Sequence, residues 1–314
     1  MRILLAAAAL CSALAWGQGF PARPVHIVVP FPAGGTADLL ARTLADSLAE
    51  SWRQPVIVEN KPGAGSILAT QYVQRAAPDG ATLLIVAPSF VVNPMLSAEA
   101  RYDAQRDFVP VALLVTSPLV VAVNATSPVR TVKDLVELAR ARPGKLSFGA
   151  VGPNTTQQMI GEMMKIESGI DWIYAPYPGG APSVTAVLGD HVTAVIANYS
   201  EVSAQLSAGK LRALAVGTPT RLDSMKEVPT MAELGYTLID ATIWFGIVAP
   251  AGTPRETVER IRNDMQKAVG TAAIRDKLVA QSLFPVTGTD PFGAFLAAQS
   301  QRYASLIRQA GLKN

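Results

Sequence analysis

Four short stretches carry the residues best suited to chemistry. They are Pro32-Ala33-Gly34-Gly35-Thr36, Gly63-Ala64-Gly65-Ser66, Gly152-Pro-Asn-Thr155-Thr156 and Pro178-Gly179-Gly180-Ala181-Pro182-Ser183. In the first, Gly34 and Gly35 allow positive φ and let a ligand approach the backbone without meeting a Cβ, and the others repeat the glycine turn. A hydroxyl residue then stands where a helix would begin, so unpaired N–H groups gather at the positive end of a helix dipole. Such a row of donors suits a carboxylate or a phosphate. Spacing alone leaves the anion open, and a plain connecting turn has the same composition.

Reactive chemistry is poorly represented. No Gly-Lys-Ser/Thr follows Gly34 and Gly35, which excludes a Walker A loop, and no G-x-G-x-x-G passes through them, which excludes the dinucleotide fingerprint. His26 falls inside a strand pattern and His191 in a Gly-Asp-His turn, neither with a partner at metal-ligand spacing. There is no G-x-S-x-G elbow. Asp38 is the one carboxylate placed by a motif, in a first helical turn where the dipole favours it. The expectation is binding loops with no catalytic residue, no metal ligand and no cofactor.

These loops need strands and helices to hold them. Val25, Ile27, Val28 and Val29 read as a buried strand ended by Pro30, and Thr36 reads as the cap of a helix with Leu40, Leu44 and Leu48 on one face. A second strand precedes Gly63, a helix spans about 67–76, and a third strand covers 81–87, after which Ser89 and Asn93 fall on a loop. Two apolar runs, 109–115 and 119–123 around Ser117-Pro118, suggest a crossing between domains. The strand, glycine turn, hydroxyl, helix order returns from Leu146 and again from Ile173, the latter leading into a helix at 184–188. Strands at 192–196 and 211–216 flank a helix at 201–208, and a short capped helix follows at 229–236. Trp244 to Pro250 reads as the second crossing, then come a helix with Val258, Ile261 and Met265 inward and a last helix carrying Phe292 to Ile307. Alternation of this kind predicts doubly wound α/β sheets with ligand loops at the carboxyl ends of parallel strands. Two crossings predict a discontinuous domain, 18–122 with 243–314, an inserted domain, 123–242, and a cleft between them.

Length and composition agree: 314 residues, 49% of them apolar, suit two cores better than one. Met1-Arg2 and the apolar run to Leu14 have the form of a signal peptide, 1–17, cut after Ala15 or Gly17. Cys11, the only cysteine, lies within it, behind Leu10 rather than the small residue of a lipoprotein signal. Disulfides, thiolate metal sites and thiol nucleophiles are therefore not expected of the mature chain. The net charge of +3, one unit of it from Arg2, is too small and scattered for a nucleic-acid partner.

Taken in order, several motifs resemble one family, the periplasmic solute-binding proteins of tripartite tricarboxylate transporters, known as Bug or TctC. They are Val29-Pro-Phe-Pro-Ala-Gly-Gly-Thr-Ala-Asp38 with Ala41-Arg42, Val58-Glu-Asn-Lys-Pro-Gly-Ala-Gly65, Asp79-Gly80, Tyr102-Asp103 with Asp107-Phe108, Pro176-Tyr-Pro-Gly-Gly-Ala-Pro-Ser183, Ala208-Gly-Lys-Leu-Arg-Ala-Leu-Ala-Val216, Val228-Pro-Thr-Met-Ala-Glu-Leu-Gly-Tyr236 and Ala249-Pro-Ala-Gly-Thr-Pro254. The resemblance implies a type II periplasmic binding protein fold, two lobes joined by two crossing strands, closing on a small organic carboxylate held by backbone N–H groups, hydroxyls and waters. The positions it implies are Ala33, Gly34, Gly35, Thr36, Asp38, Ser66, Ser89 and Asn93 on the first lobe, with Thr155, Thr156, Gly180, Ala181, Ser183 and Asn198 on the second. It also implies a periplasmic monomer, without enzymatic activity, serving the integral-membrane subunits of such a transporter or a sensor protein.

Two departures bear on the ligand. Thr155-Thr-Gln-Gln158 stands where the family often has Ser-Pro-Gln-His, and Ala197-Asn198 where it often has an Asp that would pair with an amine. The loss of that carboxylate favours a simple carboxylate over an amino acid. Trp244 and Phe245 are read as core before they are read as a cover for the ligand. Two other readings stay open: an exported enzyme of carboxylate or ester metabolism, and a ligand-loaded partner of a sensor.

Overall fold

The computed structural model describes residues 20–236, 242–286, 288 and 291–309. The expected signal segment, 1–17, lies outside the described residues. From the start, β1 (Val25–Val29), α1 (Thr36–Trp52), β2 (Val56–Asn60), α2 (Ile67–Gln74), β3 (Thr82–Val86) and α3 (Ser89–Leu96) alternate. The β-branched run of β1 is buried between parallel neighbours, with Ile27 beside Val58 on one side and Leu83 on the other. Leu40, Leu44 and Leu48 of α1 lie in the core as their spacing predicts.

One long strand, β4 (Phe108–Asn124), then serves two half-sheets. After it come α4 (Val132–Ala141), β5 (Leu146–Val151), α5 (Thr156–Ser168), β6 (Trp172–Tyr177), α6 (Gly180–Leu188), β7 (Ala194–Asn198), α7 (Tyr199–Ser207) and β8 (Leu211–Val216). The chain returns through β9 (Thr242–Pro250), α8 (Arg255–Gly270), α9 (Ala272–Ala280), β10 (Phe284–Pro285) and α10 (Phe292–Gln309). Strand order is β2-β1-β3-β9-β4-β7-β5-β6, with β8 and β10 also on β4. The parallel sets β2-β1-β3 and β7-β5-β6 thus flank antiparallel strands.

The two runs expected around Ser117-Pro118 form this single strand. Residues up to Pro118 pair with β9, and from Leu119 onward the partners are β7 and β8. Proline cannot donate to a ladder. Pro118 is tolerated because it stands where the partners change.

Three other expectations need correction. Ser89 and Asn93 lie on a helix, α3, rather than a loop, although Pro94 sits inside it. Pro94 has no N–H for the Phe90 carbonyl, and the buried Tyr102 hydroxyl donates to that oxygen instead at 3.0 Å. At 229–236 the structure has a bridge and turns. A reciprocal Thr230–Glu233 cap is present, but Gly235 at φ +88 turns the chain away before a helix can extend. α6 starts at Gly180, four residues ahead of the expected 184. Among the described residues, no helix is long and apolar enough to cross a membrane.

Candidate functional site

Between the two half-sheets lies a cavity whose empty space, its open mouth included, is about 560 Å³. Five helices begin at its wall: α1 at Gly35 and Thr36, α3 at Pro88 and Ser89, α5 at Thr155 and Thr156, α6 at Gly179 and Gly180, and α7 at Asn198. First-turn amides lack i−4 partners, so such starts present a positive dipole end and donors. At α3 the Phe90 and Val91 N–H groups are taken by the Ala87 and Pro88 carbonyls at 2.8 and 3.1 Å, which leaves the Ser89 end. Among the described lining residues there is no Lys, Arg or His, and Glu201 is the one carboxylate. Phe31, Val151, Ile243 and Phe245 make much of the remaining wall apolar. Trp244, on the opposite face of β9, packs in the core against Phe292 and Phe295, with ring centroids 6.0 and 5.4 Å away.

The Pro32–Thr36 loop is locked from behind. Gly34 takes φ +80, and its N–H donates to Asp38 Oδ2 at 2.9 Å. Arg42 Nε at 3.0 Å and Asn60 Nδ2 at 2.9 Å donate to the same carboxylate, and Asn60 Nδ2 also reaches the Phe31 carbonyl. Burial by itself would raise the Asp38 pKa, but the bonds from Arg42, Gly34 and Asn60 outweigh it and hold the group below its usual range. Asp38 and Gly34 therefore shape the loop and do not line the cavity.

Thr36 was expected to cap α1, but Gly35 occupies that position without a side-chain bond and Thr36 is the first helical residue. Its hydroxyl is thereby free to reach across the cleft. It accepts from Asn198 Nδ2 at 2.9 Å, lies 2.8 Å from Ser200 Oγ and donates to Glu201 Oε1 at 3.2 Å. Glu201 Oε2 accepts from the Asn198 N–H at 3.0 Å, and the Thr36 backbone N–H donates to the same carboxyl. Burial pushes the Glu201 pKa up, and bonds from Asn198 and Thr36 only partly oppose it. The carboxyl also fills the space a side chain would need at Gly180, where a Cβ would lie 2.0 Å from Glu201 Cδ. Sequence reasoning did not single out Glu201. The signal was present: Asn198-Tyr-Ser-Glu201 is a capping-box spacing ahead of a helix.

A second polar chain leads into the cavity from the first half. Asn93 Nδ2 donates to the Gly65 carbonyl at 2.8 Å and to Ser66 Oγ at 3.1 Å, and Ser66 Oγ lies 2.9 Å from Ser89 Oγ. Of these, only Ser89 lines the cavity. Thr155 caps α5 as expected, accepting from the Gln158 N–H at 3.4 Å and donating to the Val151 carbonyl at 2.8 Å. Thr156 Oγ1 lies 3.3 Å from the Tyr303 hydroxyl of α10. Ser183 donates back to the Gly180 carbonyl at 2.7 Å and stays behind the wall.

Of the residues singled out by sequence, the structure brings Ala33, Gly35, Thr36, Ser89, Thr155, Thr156, Gly180, Ala181 and Asn198 to the cavity. Gly34, Asp38, Ser66, Asn93 and Ser183 lie behind it. Gln157 and Glu201 line it without having been singled out, and Gly179 and Pro182 of the fourth glycine stretch line it as well. Gln157 Oε1 is buried without a hydrogen-bond partner, whereas Asn198 Oδ1 faces the Glu201 N–H in the capping box that opens α7. Among the described residues, no group of three His, Cys, Asp or Glu is placed to hold a metal ion.

Residues 40–312 match the model of a family described as the tripartite tricarboxylate transporter family receptor. Protein BugT of Bordetella pertussis is 35% identical over 297 residues, which cover 94% of this chain and 91% of BugT. Among solved structures, the periplasmic binding protein BugD is 30% identical with a TM-score of 0.88, over 94% of this chain and 99% of its own. A protein of R. palustris solved with adipate is 31% identical with a TM-score of 0.89, over the same shares of the two chains. The architecture is accordingly the type II periplasmic binding protein fold, as the resemblance implied.

Proposed function

The chain belongs to the tripartite tricarboxylate transporter receptor family, and from that premise we propose that it is an extracytoplasmic solute-binding protein for a small organic carboxylate. The observation that carries this reading is the convergence of five helix starts on a cavity without a cation. Backbone dipoles from both lobes neutralise a bound anion there without the desolvation of a buried arginine. Amides at Thr156, Gln157 and Ala181 supply donors. Asn93 and Ser66 hold the Ser89 hydroxyl in place, Asn93 donating to Ser66 and Ser66 sharing a hydrogen bond with Ser89. The relative solved with adipate supports the ligand class.

The two lobes, 18–122 with 243–314 and 123–242, close on the ligand by a hinge motion, since an anion between them gains contacts from both lobes only when they come together. The closed form is then read by the membrane subunits of a tripartite tricarboxylate-type transporter. Removal of segment 1–17 leaves a periplasmic monomer. Native mass spectrometry of the exported protein, with a thermal-shift panel of carboxylates, tests the proposal. A released carboxylate at one per chain, or stabilisation following RT ln(1 + [L]/Kd), supports it. An unshifted melting curve across the panel and no bound small molecule would overturn it.

One observation favours an enzyme instead. Glu201 is a carboxyl of raised pKa in a cleft, the kind of group that general acids use. Turnover of a bound carboxylate or ester without added cofactor would establish that alternative.

A further inference from the structure

The glycine loop at Pro32–Thr36 has the form of an anion cradle, and in this structure it already holds an anion-forming group of the chain itself. The Thr36 N–H and hydroxyl reach Glu201 from the start of α1, the Asn198 N–H reaches it from the start of α7, and Gly180 at the start of α6 lies against it. Three of the five helix starts are thus turned on one side chain. A ligand carboxylate could take that place only by displacing Glu201 or by lying against a like group, and both oppose binding. The starts of α3 and α5 remain, on the part of the wall where Phe31, Val151, Ile243 and Phe245 supply apolar surface. The buried, unpartnered Gln157 oxygen adds an acceptor to this wall, which repels a second anion and offers it no donor.

We infer that Glu201 is the specificity-determining residue of the cavity, an internal carboxylate that restricts it to ligands with one carboxylate group and an apolar body. This rests on the carboxylate-binding reading above and sharpens it. The group works by occupying space and donors, so the restriction holds whether or not it carries its proton. The side chain at 201 therefore sets how many carboxylates a ligand is allowed.

The test is calorimetric titration with matched pairs, hexanoate against adipate and benzoate against terephthalate, on the full mature chain and on Glu201→Ser and Glu201→Gln. Melting curves confirm that each variant is folded. The wild-type protein is expected to favour the better monocarboxylate over its partner by about ten-fold or more, equivalent to 1.4 kcal/mol. Glu201→Ser, which empties the place, should cut that ratio by about ten-fold through tighter dicarboxylate binding. Glu201→Gln keeps the shape and should retain the preference. Equal binding of both members of every pair by the wild-type chain, or an unchanged ratio in Glu201→Ser, would overturn the inference while leaving a carboxylate-binding protein. Leucine binding more tightly than its deaminated analogue would make Glu201 an acceptor for an ammonium group and overturn it equally. If no carboxylate binds any form, the proposed function falls and the inference with it.

Discussion

The hydroxyl of Thr36 and the carboxyl of Glu201, 165 positions apart in sequence, meet across the cleft at 3.2 Å. Asn198 ties the pair together, donating its side-chain N–H to Thr36 and its backbone N–H to Glu201. One threonine at the start of α1 is thereby a direct polar link between helix starts of the two halves, beside the contact of Thr156 with Tyr303. Whatever separates the halves must break it.

Thr36→Val keeps the side-chain shape and removes the hydroxyl. Buried partners at Asn198 and Glu201 then lose their bond in the closed form alone, at about 1–3 kcal/mol. Ligand affinity should fall by about ten-fold or more, read by calorimetric titration. Unchanged affinity would show that the link contributes nothing to closure.

Glu201 gives stability a distinct pH dependence. Its pKa in the folded chain is raised above the ordinary 4.5, so the folded protein holds this proton more tightly than the unfolded one. The group's favourable contribution is complete below 4.5 and is lost as pH rises through the folded value. Glu201→Gln never ionises. Its melting temperature relative to the wild-type protein should climb from acid to neutral pH, with the smallest gap at the acid end.

Asp38 has the opposite sign. Its pKa is held below the ordinary 3.8, so its contribution is present above that value and is lost as pH falls through the folded one. Its side chain is only 4% exposed. Asp38→Asn should cost about 1.5–3 kcal/mol in urea unfolding at neutral pH, where charge-assisted bonds to Gly34, Arg42 and Asn60 are weakened. The deficit should shrink in strong acid.

Gly65 separates closure from folding. It takes φ +60, and a Cβ there would stand 2.5 Å from the Pro153 carbonyl on the other half. Gly65→Ala should lose about 1–2 kcal/mol of stability from the left-handed backbone. Ligand-induced stabilisation should drop much further, since closure drives the new methyl group into Pro153. A variant that keeps the full thermal shift would exclude contact at this point in the bound form.

The order of strands and helices was legible because each signal was local. The β-branched run of β1, the spacing of Leu40, Leu44 and Leu48, and the glycine turns each act within a few residues. The helix α3 was not legible because Pro94 breaks the local pattern, and the remedy is a hydroxyl from Tyr102 that only tertiary structure supplies. At the cavity, nine of the residues singled out line the wall. Asp38 and Asn93 belong to the same motifs but act from behind, since a sequence gives spacing and not the direction a side chain faces. The role of Thr36 was misjudged for a related reason. A cap bonds its own helix, whereas its actual partners come from α7, far along the chain. Glu201 was missed because a capping-box glutamate looks local, and its meeting with α1 and α6 is not.

The wedging of β9 between β3 and β4 also constrains how the polypeptide can come into being. Until Pro250 has been made, the strand that completes the first half-sheet does not exist, and β3 and β4 have nothing between them. Most of the chain must therefore emerge from the ribosome before that half acquires its core. The first half-sheet is completed late in synthesis, when its middle strand finally arrives from a distant part of the chain.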